Sequence, residues 1–299
     1  MKVLITGSNG LLGQKLVQLI LDKGDELIAT ARGENRLPLP EDDYTYRQLD
    51  ITNREEVISV IGEVKPDVVI HTAAMTNVDQ CETEKEACWK LNVDAVEYII
   101  EACEQTDCYL VHLSTDFIFD GEDGPYDEAG IPNPVSYYGD SKLAAEKLLF
   151  NSKIKYGIAR TVLVYGIAHD MSRSNIILWV RGSLESAKEI KVVDDQLRSP
   201  TLAEDLAMGC YLMAQKRAEG VFNISGKDLL TPYDMAIKTA DFFNLDTASM
   251  TRADASSFTQ TAKRPPKTGF IIDKAKTELG YDPHSFDEGI AILAKQMGF

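Results

Sequence analysis

Tyr138-Gly139-Asp140-Ser141-Lys142 sets a phenol and an amine four residues apart. On a helix, positions i and i+4 share one face, so both groups can enter the same site. A unit positive charge about 4 Å away is worth about 4 kcal/mol at an effective dielectric of about 20. At about 1.4 kcal/mol per pKa unit, that would bring a phenol from about 10 towards neutrality. Such a tyrosine can give a proton to a developing alkoxide and regain it at physiological pH. The expectation is a proton-donating Tyr138 tuned by Lys142. The spacing is common by chance, so its meaning depends on the fold around it.

A second pattern supplies that context. Gly7-Ser8-Asn9-Gly10-Leu11-Leu12-Gly13 lies between an apolar run, Lys2–Thr6, and a segment with Leu12, Leu16, Leu19 and Ile20 at helical spacing. The first glycine bends the backbone, the second lets it approach a pyrophosphate, and the third lets the helix pack on the strand. A helix N-terminus also offers free N–H groups and partial positive charge to an anion. A dinucleotide is therefore expected here, with Gly7, Asn9, Gly10, Leu11, Leu12 and Gly13 as candidate contacts. About 20 residues on, the usual fingerprint has an acid for the ribose 2′-hydroxyl; this chain has Thr30-Ala31-Arg32. A carboxylate would repel a 2′-phosphate, whereas the Arg32 guanidinium attracts it and can bind it bidentately. NADP(H) is the preferred cofactor, with NAD(H) possible.

The remaining composition narrows the classes. The formal net charge of -16 argues against a nucleic-acid partner. The five cysteines form no C-x-x-C pair, and the four histidines do not pair with them at zinc spacing, so reduced thiols and no metal are expected. Met1 leads directly into Val3-Leu4-Ile5 without a basic leader, and no apolar run approaches the roughly 20 residues of a membrane-spanning helix. A cytoplasmic protein without a membrane partner is expected.

The first half alternates strand and helix patterns. Strands are expected at Lys2–Thr6, Glu26–Ala31, Tyr46–Leu49, Asp67–His71, Tyr109–Ser114 and Gly157–Val164. Helices are expected from Gly10 to Lys23, then at Arg54–Val64, Glu84–Gln105 and Ser136–Asn151. The fold class is α/β, a Rossmann-type doubly wound parallel sheet with a smaller C-terminal substrate-binding lobe. The dinucleotide domain is set at residues 1–165, with segments near 195–225 returning to it, and the lobe at 166–299. The lobe has helical patterns at Ile176–Ser186, Leu202–Gln215, Tyr233–Phe243 and Phe286–Met297. Thr247–Thr268 reads as a long loop.

Gly7–Gly13, Ser114-Thr115-Asp116-Phe117-Ile118-Phe119-Asp120-Gly121 and Tyr138–Lys142 together resemble the extended short-chain dehydrogenases. Within them the chain is most similar to the dTDP-4-dehydrorhamnose reductase family, also at Ala73–Asp79, Leu91-Asn92, Arg160–Gly166, Asp195-Gln196, Pro200-Thr201 and Arg264-Pro265. His71 and Met75 depart from that family's usual residue types, which bears on the sugar taken. The resemblance implies NADPH-dependent reduction of a 4-keto sugar nucleotide, dTDP-4-dehydro-L-rhamnose to dTDP-L-rhamnose. It implies that Thr115 hydrogen-bonds the substrate carbonyl, Tyr138 donates the proton, and Lys142 holds the nicotinamide ribose. Asp50 and Ile51 would sit by the adenine, and Ala73 and Ala74 would line the cofactor. Asn92 would support helix geometry.

Substrate candidates are Thr76 and Val78 in the segment Met75–Asp79, and Asp116, which with Asp120 also suits fixing the turn after the strand. In the lobe, Asn175, Arg198 and Arg264 are candidate donors to a pyrophosphate, which on so acidic a chain needs locally placed cations. A homodimer is left open. Two other functions compete. A sugar-nucleotide dehydratase would carry Glu after the strand-end Thr-Asp, where this chain has Phe117; epimerases read Val-Tyr-Gly where it has Ile118–Gly121. A non-catalytic NADP(H)-binding regulatory subunit can be built on the same family, and only turnover separates it from the enzyme.

Overall fold

The computed structural model describes residues 1–170 and 174–299. Seven parallel strands form the central sheet: β1 (Lys2–Thr6), β2 (Glu26–Ala31), β3 (Thr45–Gln48), β4 (Val68–His71), β5 (Tyr109–Thr115), β6 (Tyr156–Thr161) and, from far along the chain, β10 (Gly220–Asn223). The order is β10-β6-β5-β4-β1-β2-β3. The chain starts at the centre, steps outward to β3, then crosses back to β4, which opens the strand-order reversal at which dinucleotides bind in such sheets. The two shorter strands β7 (Val164–Tyr165) and β9 (Thr201–Leu202) pair with each other, as do β8 (Ile190–Val193) and β11 (Met250–Ala253).

Both faces of the sheet are buried, which is why its strands read as apolar runs without alternation. Val3 and Ile5 pack on one side with Leu16, Val17 and Ile20 of α1 (Leu11–Asp22) and with Leu206 and Cys210 of α8 (Ala203–Lys216). Leu4 points to the other side, against Val57 and Ile61 of α2 (Arg54–Val64) and Val96 and Ile99 of α5 (Ala95–Thr106). The helix carrying the Tyr-Lys pair, α6 (Tyr137–Phe150), lies on this second side. Beyond the sheet, α7 (Ile176–Glu185), α9 (Pro232–Phe242) and α10 (Phe286–Gln296) build two smaller apolar clusters around Ile177, Phe286 and Ile290 and around Val180, Ala236 and Met250.

Three expectations change. The helix expected over Glu84–Gln105 begins earlier and is broken. It consists of α3 (Val78–Thr83), capped by Asn77; α4 (Lys85–Trp89); a π-turn at Lys90–Asp94; and α5. Glu84 leaves helical dihedrals between α3 and α4, at φ −119° and ψ 55°. The strand expected over Gly157–Val164 is divided between β6 and β7, with Leu163 at a φ of 36° turning the chain between them. The loop expected over Thr247–Thr268 contains β11, whose Thr251 and Arg252 are exposed, so it shows little apolar signal. Among the described residues no helix is long and apolar enough to cross a membrane, and no cluster of His, Cys, Asp and Glu is suited to a metal.

Candidate functional site

The ends of β1, β2, β4 and β5 bring the candidate residues to one edge of the sheet. Gly7 leaves β1 at a φ of +75°, and a Cβ there would lie 2.9 Å from the Ala73 nitrogen. The Gly13 Cα sits so close to this turn that a Cβ would come within 2.2 Å of the Gly7 carbonyl oxygen. Only a glycine there lets α1 start directly over the loop. Gly10 precedes the helix and gives it no side-chain cap, so the first N–H groups keep their capacity to bind an anion. Ser8 Oγ, buried beside them, has no hydrogen-bond partner among the described residues. Asn9 closes the far wall: its Nδ2 donates to the Glu34 carbonyl at 2.9 Å and its Oδ1 accepts from Arg36 N at 3.0 Å. These donors and the small residues around them fit a dinucleotide pyrophosphate.

Arg32 follows the end of β2, is exposed, and its side chain has no partner among the described residues. The neighbouring Arg36 is paired with Asp170 at 3.2 Å. Asp50 Oδ1 accepts from Thr52 N and Oγ1 at 2.9 and 2.8 Å, shaping the turn into α2, and Ile51 is buried behind it. Ala73 and Ala74 are half-buried where the chain leaves β4, opposite the glycine turn; Thr76 beyond them is exposed and Val78 half-buried.

Ser136 caps α6 by accepting from Gly139 N at 3.2 Å. Gly139 lets the helix start touch the strand exit, since a Cβ there would meet the Phe117 carbonyl at 2.2 Å. That contact brings the buried Tyr138 alongside the buried Thr115. Phe117 packs edge-on against the Tyr138 ring, with centroids 5.6 Å apart. Thr115 Oγ1 accepts from Phe117 N at 3.2 Å and donates to Asp116 Oδ1 at 3.0 Å. Its one hydroxyl proton is thereby committed to Asp116.

Lys142 follows one turn later and is also buried. Its Nζ lies 3.5 Å from His112 Nε2, and His112 stacks on His71 with centroids 5.5 Å apart. Burial lowers the Lys142 ammonium to about 8, while the charges of Glu146 and Cys88 raise it. The expected lowering of the Tyr138 pKa is not seen. Burial pushes the phenol up, and Asp116, Cys81 and Cys88 add to that; the Thr115 hydrogen bond opposes them without prevailing. The i,i+4 spacing puts both groups on one face, but Lys142 Nζ reaches down to the sheet histidines.

The candidates of the C-terminal lobe are engaged with protein. Asn175 caps α7 through Oδ1, accepting from Leu178 N at 3.1 Å, and donates Nδ2 to the Gly166 carbonyl at 2.7 Å. Arg198 is buried and donates to the carbonyls of Leu197, Pro265 and Pro266 and to Gln196 Oε1. It thereby fixes the segment that carries Arg264. Arg264 itself pairs with Asp79 through both guanidinium nitrogens, at 3.2 and 2.7 Å. Asp116 is completely buried between Thr115 and Thr268, which donates to its Oδ2. Burial raises its pKa, and the charge of Arg198 opposes this.

Three contributors escaped the sequence reading. Asp79 only closes the segments Ala73–Asp79 and Met75–Asp79 in the sequence, and nothing local links it to Arg264. Gly139 sat inside the recognised motif, but as a spacer. His112 carried no motif, and only its alternation with Ser114 along β5 hinted at the face it shares. Asn92, expected to support helix geometry, sits in the π-turn and bonds Met75 N at 2.8 Å, Met75 O at 3.0 Å and Ser141 Oγ at 3.0 Å. It ties the strand exit to α6.

Comparison with known proteins bears on the family and the fold. A dTDP-4-dehydrorhamnose reductase from Aggregatibacter actinomycetemcomitans is 30 % identical over 302 residues, covering 97 % of each chain. The beta subunit of methionine adenosyltransferase 2 from Bos taurus is 30 % identical over 281 residues, covering 92 % of this chain and 82 % of that one. The crystal structure of a dTDP-4-dehydrorhamnose reductase from Clostridium acetobutylicum superimposes with a TM-score of 0.88 at 30 % identity, all of both chains being covered. That of the Bacillus anthracis reductase, solved in complex with NADP, gives 0.84 at 28 % identity, covering 99 % of this chain and 100 % of that one. The family described as the RmlD substrate binding domain matches residues 1–298, and the chain belongs to it.

Proposed function

We propose that this chain reduces the 4-keto group of a sugar nucleotide with NADPH, converting dTDP-4-dehydro-L-rhamnose to dTDP-L-rhamnose. The observation that carries this reading is the convergence of Thr115, Tyr138 and Lys142 at the strand edge that also holds the glycine turn. When bound, NADPH supplies the hydride that goes to the carbonyl carbon. Tyr138 Oη gives its proton to the carbonyl oxygen. Its high pKa keeps that proton in place until negative charge develops on the substrate. Thr115 hydrogen-bonds the carbonyl oxygen once its hydroxyl turns from Asp116. Lys142 holds the nicotinamide ribose and is an ammonium below pH about 8.

Gly7, Asn9, Gly10, Leu11, Leu12 and Gly13 hold the pyrophosphate by backbone donors. Ala73 and Ala74 line the cofactor, and Asp50 and Ile51 border the adenine. Arg32 takes the 2′-phosphate, which selects NADP(H) over NAD(H). Thr76, Val78 and the Arg264 segment border the sugar nucleotide. Asn175, Arg198 and Asp116 act there by shaping the pocket wall, given the partners they already hold. Residues 1–165 and the 195–225 segment form the dinucleotide unit, which the place of β10 in the central sheet supports. Residues 166–299 otherwise form the substrate lobe, and the protein works in the cytoplasm.

The dehydratase reading loses further ground, because Phe117 offers only an apolar ring beside Tyr138. The test is NADPH consumption by purified protein with a panel of 4-keto sugar nucleotides. Turnover supports the proposal; tight NADPH binding without turnover on any of them would favour a non-catalytic binding role.

A further inference from the structure

We propose that His112 is a positioning residue for Lys142, a neutral imidazole whose Nε2 lone pair holds the ammonium in place over the sheet. The proposal rests on the reading of Lys142 as part of the site, and it assigns a role to a residue of β5 outside the motifs. An ammonium has three donors and no acceptor, so at 3.5 Å from Lys142 Nζ the imidazole Nε2 must present its lone pair. The proton then resides on Nδ1. That nitrogen is buried and has no hydrogen-bond partner among the described residues, so the ring accepts an unsatisfied N–H in order to face the lysine correctly.

The surroundings keep the imidazole neutral. His71 is its register partner on β4, and the two rings stack with an interplanar angle of 23°. His71 Nδ1 lies 2.7 Å from Thr6 Oγ1, which anchors the lower ring. Burial and the charge of Lys142 push both histidines down, His71 to about 3. They are therefore acceptors rather than competing cations. The other groups around Lys142 are Glu146 and Tyr138 on its own helix and Cys88 on α4. Glu146 has both oxygens bonded to Arg160, at 3.0 and 2.7 Å, and contributes to Lys142 only through its charge. Among the described residues, His112 Nε2 is the acceptor in hydrogen-bond range of Lys142 Nζ.

Removing that acceptor leaves a buried ammonium with less support, so its proton affinity must fall. The experiment is an NMR titration of isotope-labelled lysine in the whole protein, with the Lys142 signal assigned by Lys142→Met. It needs no substrate. The wild type is expected to titrate at about 8. In His112→Leu the midpoint should drop by about one unit, a tenfold loss of proton affinity. His112→Gln, which restores an acceptor oxygen, should return most of it. Should the leucine variant fail to fold, His112→Asn, too short to reach Nζ, should show the drop instead. Equal midpoints in wild type and the leucine or asparagine variant would overturn the proposal, as would an equal drop with glutamine. A shifted midpoint in a protein that turns over no 4-keto sugar nucleotide would sink the reductase reading while leaving His112 in its role. In an active enzyme, the alkaline limb of kcat/KM should move down with the same midpoint.

Discussion

Arg264 and Asp79, 185 residues apart, meet as a bidentate pair at 3.2 and 2.7 Å, and the Ala262 N–H adds a third bond to the same carboxylate at 2.9 Å. The guanidinium holds the Asp79 carboxyl below the usual range. The two segments that the sequence marked as substrate candidates, Met75–Asp79 and the stretch around Arg264, are thus joined into one wall.

If that wall borders the sugar nucleotide, Arg264→Ala should raise its KM at least several-fold while NADPH affinity stays unchanged. With kcat near wild type, the loss would be one of binding and not of chemistry. Asp79→Ala should do much the same, and the double variant should be no worse than either, since residues acting as one unit are not additive. The pair is partly exposed, so its direct share of fold stability is about 0.2–1 kcal/mol and a global collapse is not expected. Unchanged steady-state kinetics in both variants would remove this wall from the substrate site.

What was legible beforehand follows from range. The parallel sheet, the glycine turn and the Tyr-Lys helix each announce themselves within a few residues, through apolar runs and fixed spacings. The Arg264–Asp79 pair, the tie of Arg198 to the 265–266 carbonyls and the His112–Lys142 contact join segments with no local pattern linking them. The helix break at Glu84–Asp94 is hidden for a different reason: no glycine or proline marks it, and the π-turn shows itself only in three dimensions, where Asn92 bonds Met75 and Ser141.

Cofactor choice is tested at Arg32. Exposed and without a partner among the described residues, it can turn to a 2′-phosphate without giving up a bond. Wild-type protein should bind NADPH more tightly than NADH at controlled ionic strength. Arg32→Ala should narrow that gap by weakening NADPH alone. A wild type with no NADPH preference, measured by fluorescence titration, would refute the assignment.

Glu146 and Arg160 form an ion pair whose side chains are 0 % and 3 % exposed. It pins α6 to β6 behind Lys142. Arg160→Ala leaves a buried carboxylate without its partner, and urea denaturation should show a loss of about 3–5 kcal/mol. Replacing both residues by apolar side chains of similar volume should cost less than the single change. Should the single variant unfold at the wild-type urea midpoint, the pair does not pin the helix.

Acid stability follows from the paired histidines. Both are buried neutral, with pKa values below the ordinary 6.5. As pH falls below that value the unfolded chain takes up protons that the folded protein refuses, so stability is lost. For His71 the window runs from 6.5 down to about 3. The slope approaches about 1.4 kcal/mol per pH unit for each histidine. His71→Asn should therefore flatten the decline between pH 6.5 and about 5, above the ordinary carboxylate range. An equally steep decline in that variant would mean that another group carries the acid sensitivity.

The central claim concerns Tyr138, and one comparison addresses it: NADPH oxidation with dTDP-4-dehydro-L-rhamnose by wild type and by Tyr138→Phe, alongside NADPH affinity for each. The account predicts turnover by the wild type, a drop of roughly a hundred- to ten-thousand-fold in kcat for the phenylalanine variant, and nearly equal NADPH affinities. Wild-type turnover retained in Tyr138→Phe would contradict it.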